Sequence, residues 1–173
     1  MVKSEPKTGQ VILTGGYWST NIGNSFFQLG GKYIMSEVLG RTVELLSDQP
    51  GYGRYFGASK PRNGLNLFDM IDAEYLVLQG SLLTSRFPRL WEQTFEKCAA
   101  RGVKIILLGV GQFHYNEKET RICREFMQKF QPEIFVARDD KTFHAFADLC
   151  KHSYNGIDNA FFLPLVYEKI QMS

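Results

Sequence analysis

The chain has 173 residues, 44% hydrophobic, 14% aromatic and 22% charged. That is ordinary globular usage at the size of one domain, and such a length buries about 70% of its unfolded surface without needing a disulfide or a metal. A net charge of +2 is no electrostatic footprint for a duplex, and no run approaches the ~18 apolar residues of a membrane span, so neither nucleic acid nor a membrane span is expected.

Residues 1–9 carry two lysines and lack the apolar stretch of a signal peptide, so they read as a short disordered tail. The three cysteines, Cys98, Cys123 and Cys150, are odd in number, far apart and free of any CxxC pair. They read as small core hydrophobes in a reducing compartment, and a cytoplasmic location follows by elimination.

In chain order, Val11-Ile12-Leu13 predicts a strand that ends at Gly15-Gly16, with a helix over residues 23–39 and a second strand over 42–46. A polar loop over 47–64 and a short helix near 67–71 follow. Tyr75-Leu76-Val77-Leu78 does not alternate and reads as a strand buried on both faces. Pro88 suits a first helical turn and Gly102 the position after a last one. Between them Leu90, Trp91, Phe95, Cys98 and Ala99 form one apolar face. A strand over 103–108 comes next, then a helix opened by Asn116 and Glu119 as a capping box, with Ile122, Cys123, Phe126, Met127 and Phe130 as its stripe. Ile134-Phe135-Val136 is a further strand, Asp140 is read as the cap of a helix carrying Phe143, Phe146 and Leu149, and a last extended piece runs toward Gly156.

Five alternations of strand and helix without an internal repeat predict an α/β domain: a Rossmann-like, mostly parallel sheet with helices on both faces. Ligands of such sheets bind beyond the carboxyl ends of the strands, which concentrates function on residues 14–23, 79–87, 109–116, 138–140 and 157–159.

The first of these segments leads straight into a helix, and its N–H groups and glycines suit an anion. It matches neither GxGxxG nor the GxxxxGK[ST] phosphate loop, which disfavours a dinucleotide or Mg-nucleotide site. The plainer reading is a tight turn with Asn21 serving the helix cap. Gly30 and Gly31, inside the helix, mark close packing. Gln79-Gly80-Ser81 and Gly109-Val110-Gly111-Gln112 are two glycine-bearing strand ends, against whose backbone something must lie. His114 is the one histidine on this edge and a possible acid–base group, against the ordinary alternative of an exposed loop histidine. Arg138 offers a planar fork for carboxylate or phosphate, or else pairs with a neighbouring acid and fixes the turn. Asp140 and His144 share a helix face, but two potential ligands do not make a metal site, and none is expected.

Taken in order, five motifs carry a resemblance. They are Gly15-Gly16 with Asn21-Ile22-Gly23-Asn24; Tyr75-Leu76-Val77-Leu78-Gln79-Gly80-Ser81; Leu108-Gly109-Val110-Gly111; Val136-Ala137-Arg138-Asp139; and Asp158-Asn159-Ala160-Phe161. Together they resemble the N-terminal half of the polysaccharide pyruvyl transferase family over about residues 11–164. The resemblance implies a domain similar to the N-terminal domain of a glycosyltransferase-B-like fold. It also implies transfer of an enolpyruvyl unit from phosphoenolpyruvate to two hydroxyls of a sugar on a cell-surface glycan, with no cofactor and no metal.

On that reading Gly15, Gly16, Asn21, Gly23, Asn24, Gly80, Ser81, Gly109, Gly111 and Arg138 are substrate-binding, and His114 and Asp158 are the acid–base candidates, although Asp158 has an equal structural reading. The chain departs from the family where Asn24 replaces an aspartate and where Ser81 and Leu82 replace glycines. The domain is expected over residues 10–164, with 165–173 as a tail or the start of a linker. The family's second domain has no counterpart in these residues, so on this reading the chain is either a fragment or one half of a split enzyme, the other wall of the cleft coming in the latter case from a partner chain or a homo-oligomer. As it stands, the lone chain is expected to transfer no pyruvyl group. Residues 49–68 lack acids and place Arg54, Lys60 and Arg62 among Tyr52, Tyr55 and Phe56, a composition suited to sugars or to a solvated loop. The competing readings are a catalytically silent sugar- or anion-binding or assembly module on the same fold, and, more weakly, a flavodoxin-like or nucleotide-binding domain.

Overall fold

A computed structural model describes residues 9–14, 22–46 and 72–167. Six strands form one sheet: β1 (Gln10–Thr14), β2 (Thr42–Leu46), β3 (Tyr75–Leu83), β4 (Lys104–Gln112), β5 (Ile134–Ala137) and β6 (His152–Asn155). Every pairing is parallel, in the order β2-β1-β3-β4-β5-β6. The sheet is therefore all-parallel rather than mostly so, and Rossmann-like as the alternation of elements predicts. The chain steps from β1 to β2 in one direction and from β3 onward in the other. The reversal falls between β1 and β3, where open α/β sheets bind their ligands.

Helices α1 (Ile22–Tyr33), α2 (Phe87–Arg101), α3 (Glu117–Phe130) and α4 (Asp140–Phe146) cover the sheet. Because the central strands are apolar at successive positions, they feed two cores. Ile12, Leu76, Leu78, Ile105, Leu107 and Phe135 meet Phe87, Trp91, Phe95, Cys123, Phe126 and Phe146 on the α2–α4 side. Val11, Leu13, Val77, Ile106 and Leu108 meet Ile34 and Met35, in the π-helical turn that continues α1, on the other. Strand alternation thus shows as a choice of core rather than of core against solvent.

Local signals set the helix ends. Pro88 is in the first turn of α2, and Gly102 closes that helix in the left-handed region at φ 69°. The Asn116 side chain accepts from the Glu119 N–H at 2.9 Å and caps α3. For α4 the cap is Asp139, whose carboxylate accepts from the Thr142 N–H at 2.9 Å; Asp140 is instead the first helical residue, a correction of one position between adjacent acids. After β6 the chain turns into a 3-10 segment, Asn159–Leu165, which packs on α1. The short helix near 67–71 and the basic, aromatic stretch over 49–68 lie outside the described residues.

Strands β3 and β4 continue past the points where the sequence predicts loops. Gly80, Ser81, Gly109 and Gly111 are strand residues, and the β3–β4 and β4–β5 registers shift at Gln79/Gly80 and Leu108/Val110. Gly80 (φ 80°) and Gly109 (φ 61°) take the left-handed conformation that such irregularities need.

Candidate functional site

Parallel pairing brings the carboxyl ends of β3, β4 and β5 together, with Gly80 opposite Val110 and Val110 opposite Ala137. Arg138 follows directly, its N–H donating to the Val110 carbonyl at 2.9 Å. From there the side chain lies across Gly111, where a Cβ would come within 2.5 Å of Arg138 Nε. The guanidinium donates through Nη1 to Asp158 Oδ2 at 2.9 Å and through Nη2 to Ser81 Oγ. One planar fork therefore joins β3, the end of β5 and the segment after β6. The Arg138 and Asp158 side chains are 27% and 24% exposed, so the pair sits at the rim rather than in the core. Asp158 Oδ1 also accepts from the Ala160 N–H at 2.9 Å and caps the 3-10 segment, which commits both carboxylate oxygens.

Gly80 and Gly109 are closed off by the protein itself. A Cβ on Gly80 would strike the Phe27 ring, and one on Gly109 would come 2.6 Å from Asn159 Oδ1. Asn159 is buried and donates through Nδ2 to Gln79 Oε1 at 2.6 Å and to the Leu108 carbonyl at 3.1 Å. Gly30 admits the Asn159 peptide and Gly31 the Gln79 side chain, which accounts for two glycines within α1. What lies against the glycine-bearing strand ends is thus Phe27, Asn159 and Arg138.

A second centre forms around Glu119 at the start of α3. Its carboxylate is 2% exposed and accepts from the His114 N–H at 2.7 Å, from the Ser85 N–H at 3.1 Å and, through Oε1, lies 3.2 Å from His114 Nδ1. Burial pushes this carboxyl up, but the bonds from the His114 amide and imidazole and from the Ser85 amide outweigh it, so its pKa lies below the ordinary value of 4.5. The capping box is half formed: Asn116 caps the helix, while Glu119 reaches to the loops after β3 and β4.

Those loops enclose a cavity of about 520 Å3 lined by Ser81, Thr84, Arg86, Trp91, Phe113 and His114, among others. Ser81 belongs to both centres, since it faces this cavity and accepts from Arg138.

Of the residues singled out in the sequence, the structure brings Ser81, Gly111, Arg138 and Asp158 into contact, and His114 lines the same cavity as Ser81. Gly23 and Asn24 lie in the first turn of α1. Gly15, Gly16 and Asn21 lie outside the described residues. Sequence reasoning missed Glu119 and Asn159. Glu119 was legible only as a cap, and Asn159 meets a partner 80 positions away. Among the described residues, no three His, Cys, Asp or Glu side chains gather as metal ligands, and no helix is long and apolar enough to cross a membrane. Comparison with known protein families, curated proteins and solved structures finds no match to this chain.

Proposed function

We propose that the domain binds a small carboxylate- and phosphate-bearing ligand at Arg138 and is a polysaccharide pyruvyl transferase-like domain, with phosphoenolpyruvate as donor and a glycan sugar as acceptor. The observation that carries this reading is the Arg138 fork itself, held at the strand ends by Ser81 and Asp158 beside an open cavity. Two of the five guanidinium N–H groups serve those bonds, and a partly exposed arginine is suited to bidentate recognition of carboxylate or phosphate. The transfer adds two sugar oxygens to C2 of phosphoenolpyruvate and releases phosphate. One hydroxyl proton ends on C3, which becomes a methyl group, and the other leaves with the phosphate. His114 is the proton acceptor on this wall of the site; Asp158 serves as the partner of Arg138.

The filled glycine recesses favour a second reading, a binding module that holds the anion without chemistry. Calorimetric titration with phosphoenolpyruvate, with sulfate as competitor, tests the site. Arg138→Ala should weaken binding about ten- to a hundredfold, the range of a charge-assisted hydrogen bond, while costing about 1 kcal/mol or less in stability. Equal affinity in wild type and variant refutes the anion site. Acceptor-dependent phosphate release separates the transferase from the silent module.

A further inference from the structure

Glu119 stands apart from the arginine centre, and its geometry fixes the state of a neighbour. A carboxylate below its ordinary pKa is an acceptor only, so the His114 nitrogen that faces it must carry a hydrogen. Two backbone N–H bonds hold that carboxylate in place from the loops after β3 and β4, and the Phe113 ring packs edge-on against the imidazole at 4.6 Å. The ring therefore cannot turn freely although its side chain is 62% exposed. We infer that Glu119 is a positioning residue that locks neutral His114 as its Nδ1–H tautomer, so that Nε2 presents a lone pair to the 520 Å3 cavity as the acceptor for a ligand hydroxyl.

The tautomer is a property of this chain alone. Its use in proton transfer rests on the function proposed above. The charged and titratable side chains that line the cavity are Arg86, His114 and Glu119. Arg86 adds a donor and no competing acceptor, so the carboxylate has one imidazole to orient.

Substituting Glu119 by Gln has a defined consequence. The amide offers one oxygen and one NH2 in place of two oxygens. With the oxygen on the shorter bond, to the His114 N–H at 2.7 Å, the NH2 takes the place of Oε1, forfeits the 3.1 Å bond from the Ser85 N–H and faces Nδ1. Nδ1 then accepts, and the hydrogen moves to Nε2.

Long-range 15N–1H correlation spectra of the intact chain distinguish a protonated from a bare ring nitrogen. The chain has three histidines, so a spectrum of His114→Gln assigns the signal. Above the imidazole titration, wild type should show the Nδ1–H form in about tenfold excess or more, the ratio given by about 1.4 kcal/mol, and Glu119→Gln should reverse the majority. A wild-type ring with hydrogen mainly on Nε2, or evenly shared, overturns the inference without any variant having to fold. So does a folded Glu119→Gln protein that keeps the wild-type tautomer. Neither outcome touches phosphoenolpyruvate affinity, which tests the arginine centre separately.

Discussion

Truncating Asn159 to Ala should cost the fold far more than an exposed polar substitution does. The side chain is 2% exposed and donates to Gln79 Oε1 and the Leu108 carbonyl. Its loss forfeits two bonds, each worth a net ~0.5–1.5 kcal/mol, and strands a buried carbonyl and a buried amide oxygen; leaving such a group unmade costs ~1–3 kcal/mol. Partial relaxation and entry of water recover some of this, so a loss of about 2–4 kcal/mol follows, a large share of an ordinary domain's stability. Urea unfolding followed by tryptophan fluorescence and circular dichroism measures it, and the slope against urea should stay unchanged. The mechanism has a sharper signature in a double-mutant cycle. Once Asn159 is gone, replacing Gln79 by Leu removes one of the orphaned groups and should recover about 1 kcal/mol or more. Additive losses, or a loss under ~0.5 kcal/mol for Asn159→Ala, would falsify the claim that this pair closes the strand ends.

Gly109→Ala places a side chain in the left-handed region and 2.6 Å from Asn159 Oδ1, so it should destabilise by at least ~1–2 kcal/mol in the same urea assay; a neutral result would mean that the β4 irregularity has no fixed conformation. Because folding depresses the Glu119 pKa, its contribution is present above the ordinary carboxyl value of 4.5 and is lost as pH falls through the lower folded value. Wild type should therefore lose stability between about pH 5 and 3 more steeply than Glu119→Gln, and equal slopes would remove Glu119 from the acid response. Burial pushes the thiols of Cys98, Cys123 and Cys150 up to about 12. All three should be nearly inert to a thiol reagent at neutral pH until denaturant is added, and a rapidly reacting native thiol would contradict their packing.

The alternation of elements was legible because strand cores such as Val11-Ile12-Leu13 and helix stripes such as Trp91, Phe95 and Cys98 are local patterns, each written within a dozen residues. The strand ends were not. Gly80 and Gly109 look like loop punctuation, yet glycine serves equally as the residue that lets a buried strand shift register and continue. The adjacent acids Asp139 and Asp140 offered two caps one position apart, and only the Thr142 bond to Asp139 decides between them. At the site, Arg138 could be picked out for its chemistry, but its partners Ser81 and Asp158 are 57 and 20 positions away. Glu119 shows the opposite difficulty. Its spacing from Asn116 gave it a sufficient local explanation, which concealed the two loops it holds.

The return of residues 159–165 onto α1 also dictates an order in time. Gly30, Gln79 and Leu108 emerge first in synthesis, and the segment that covers them emerges at least 51 residues after the last of them. Until then Gly30 lacks the Asn159 peptide, and Gln79 and the Leu108 carbonyl lack the Asn159 amide, even when the strands themselves have paired. Long-range closure of this kind slows folding and prolongs exposure of apolar surface, with Phe27 beside the open strand end. A nascent chain halted before residue 159 is accordingly the form of this protein that a chaperone should hold longest, and release should follow the appearance of a single asparagine.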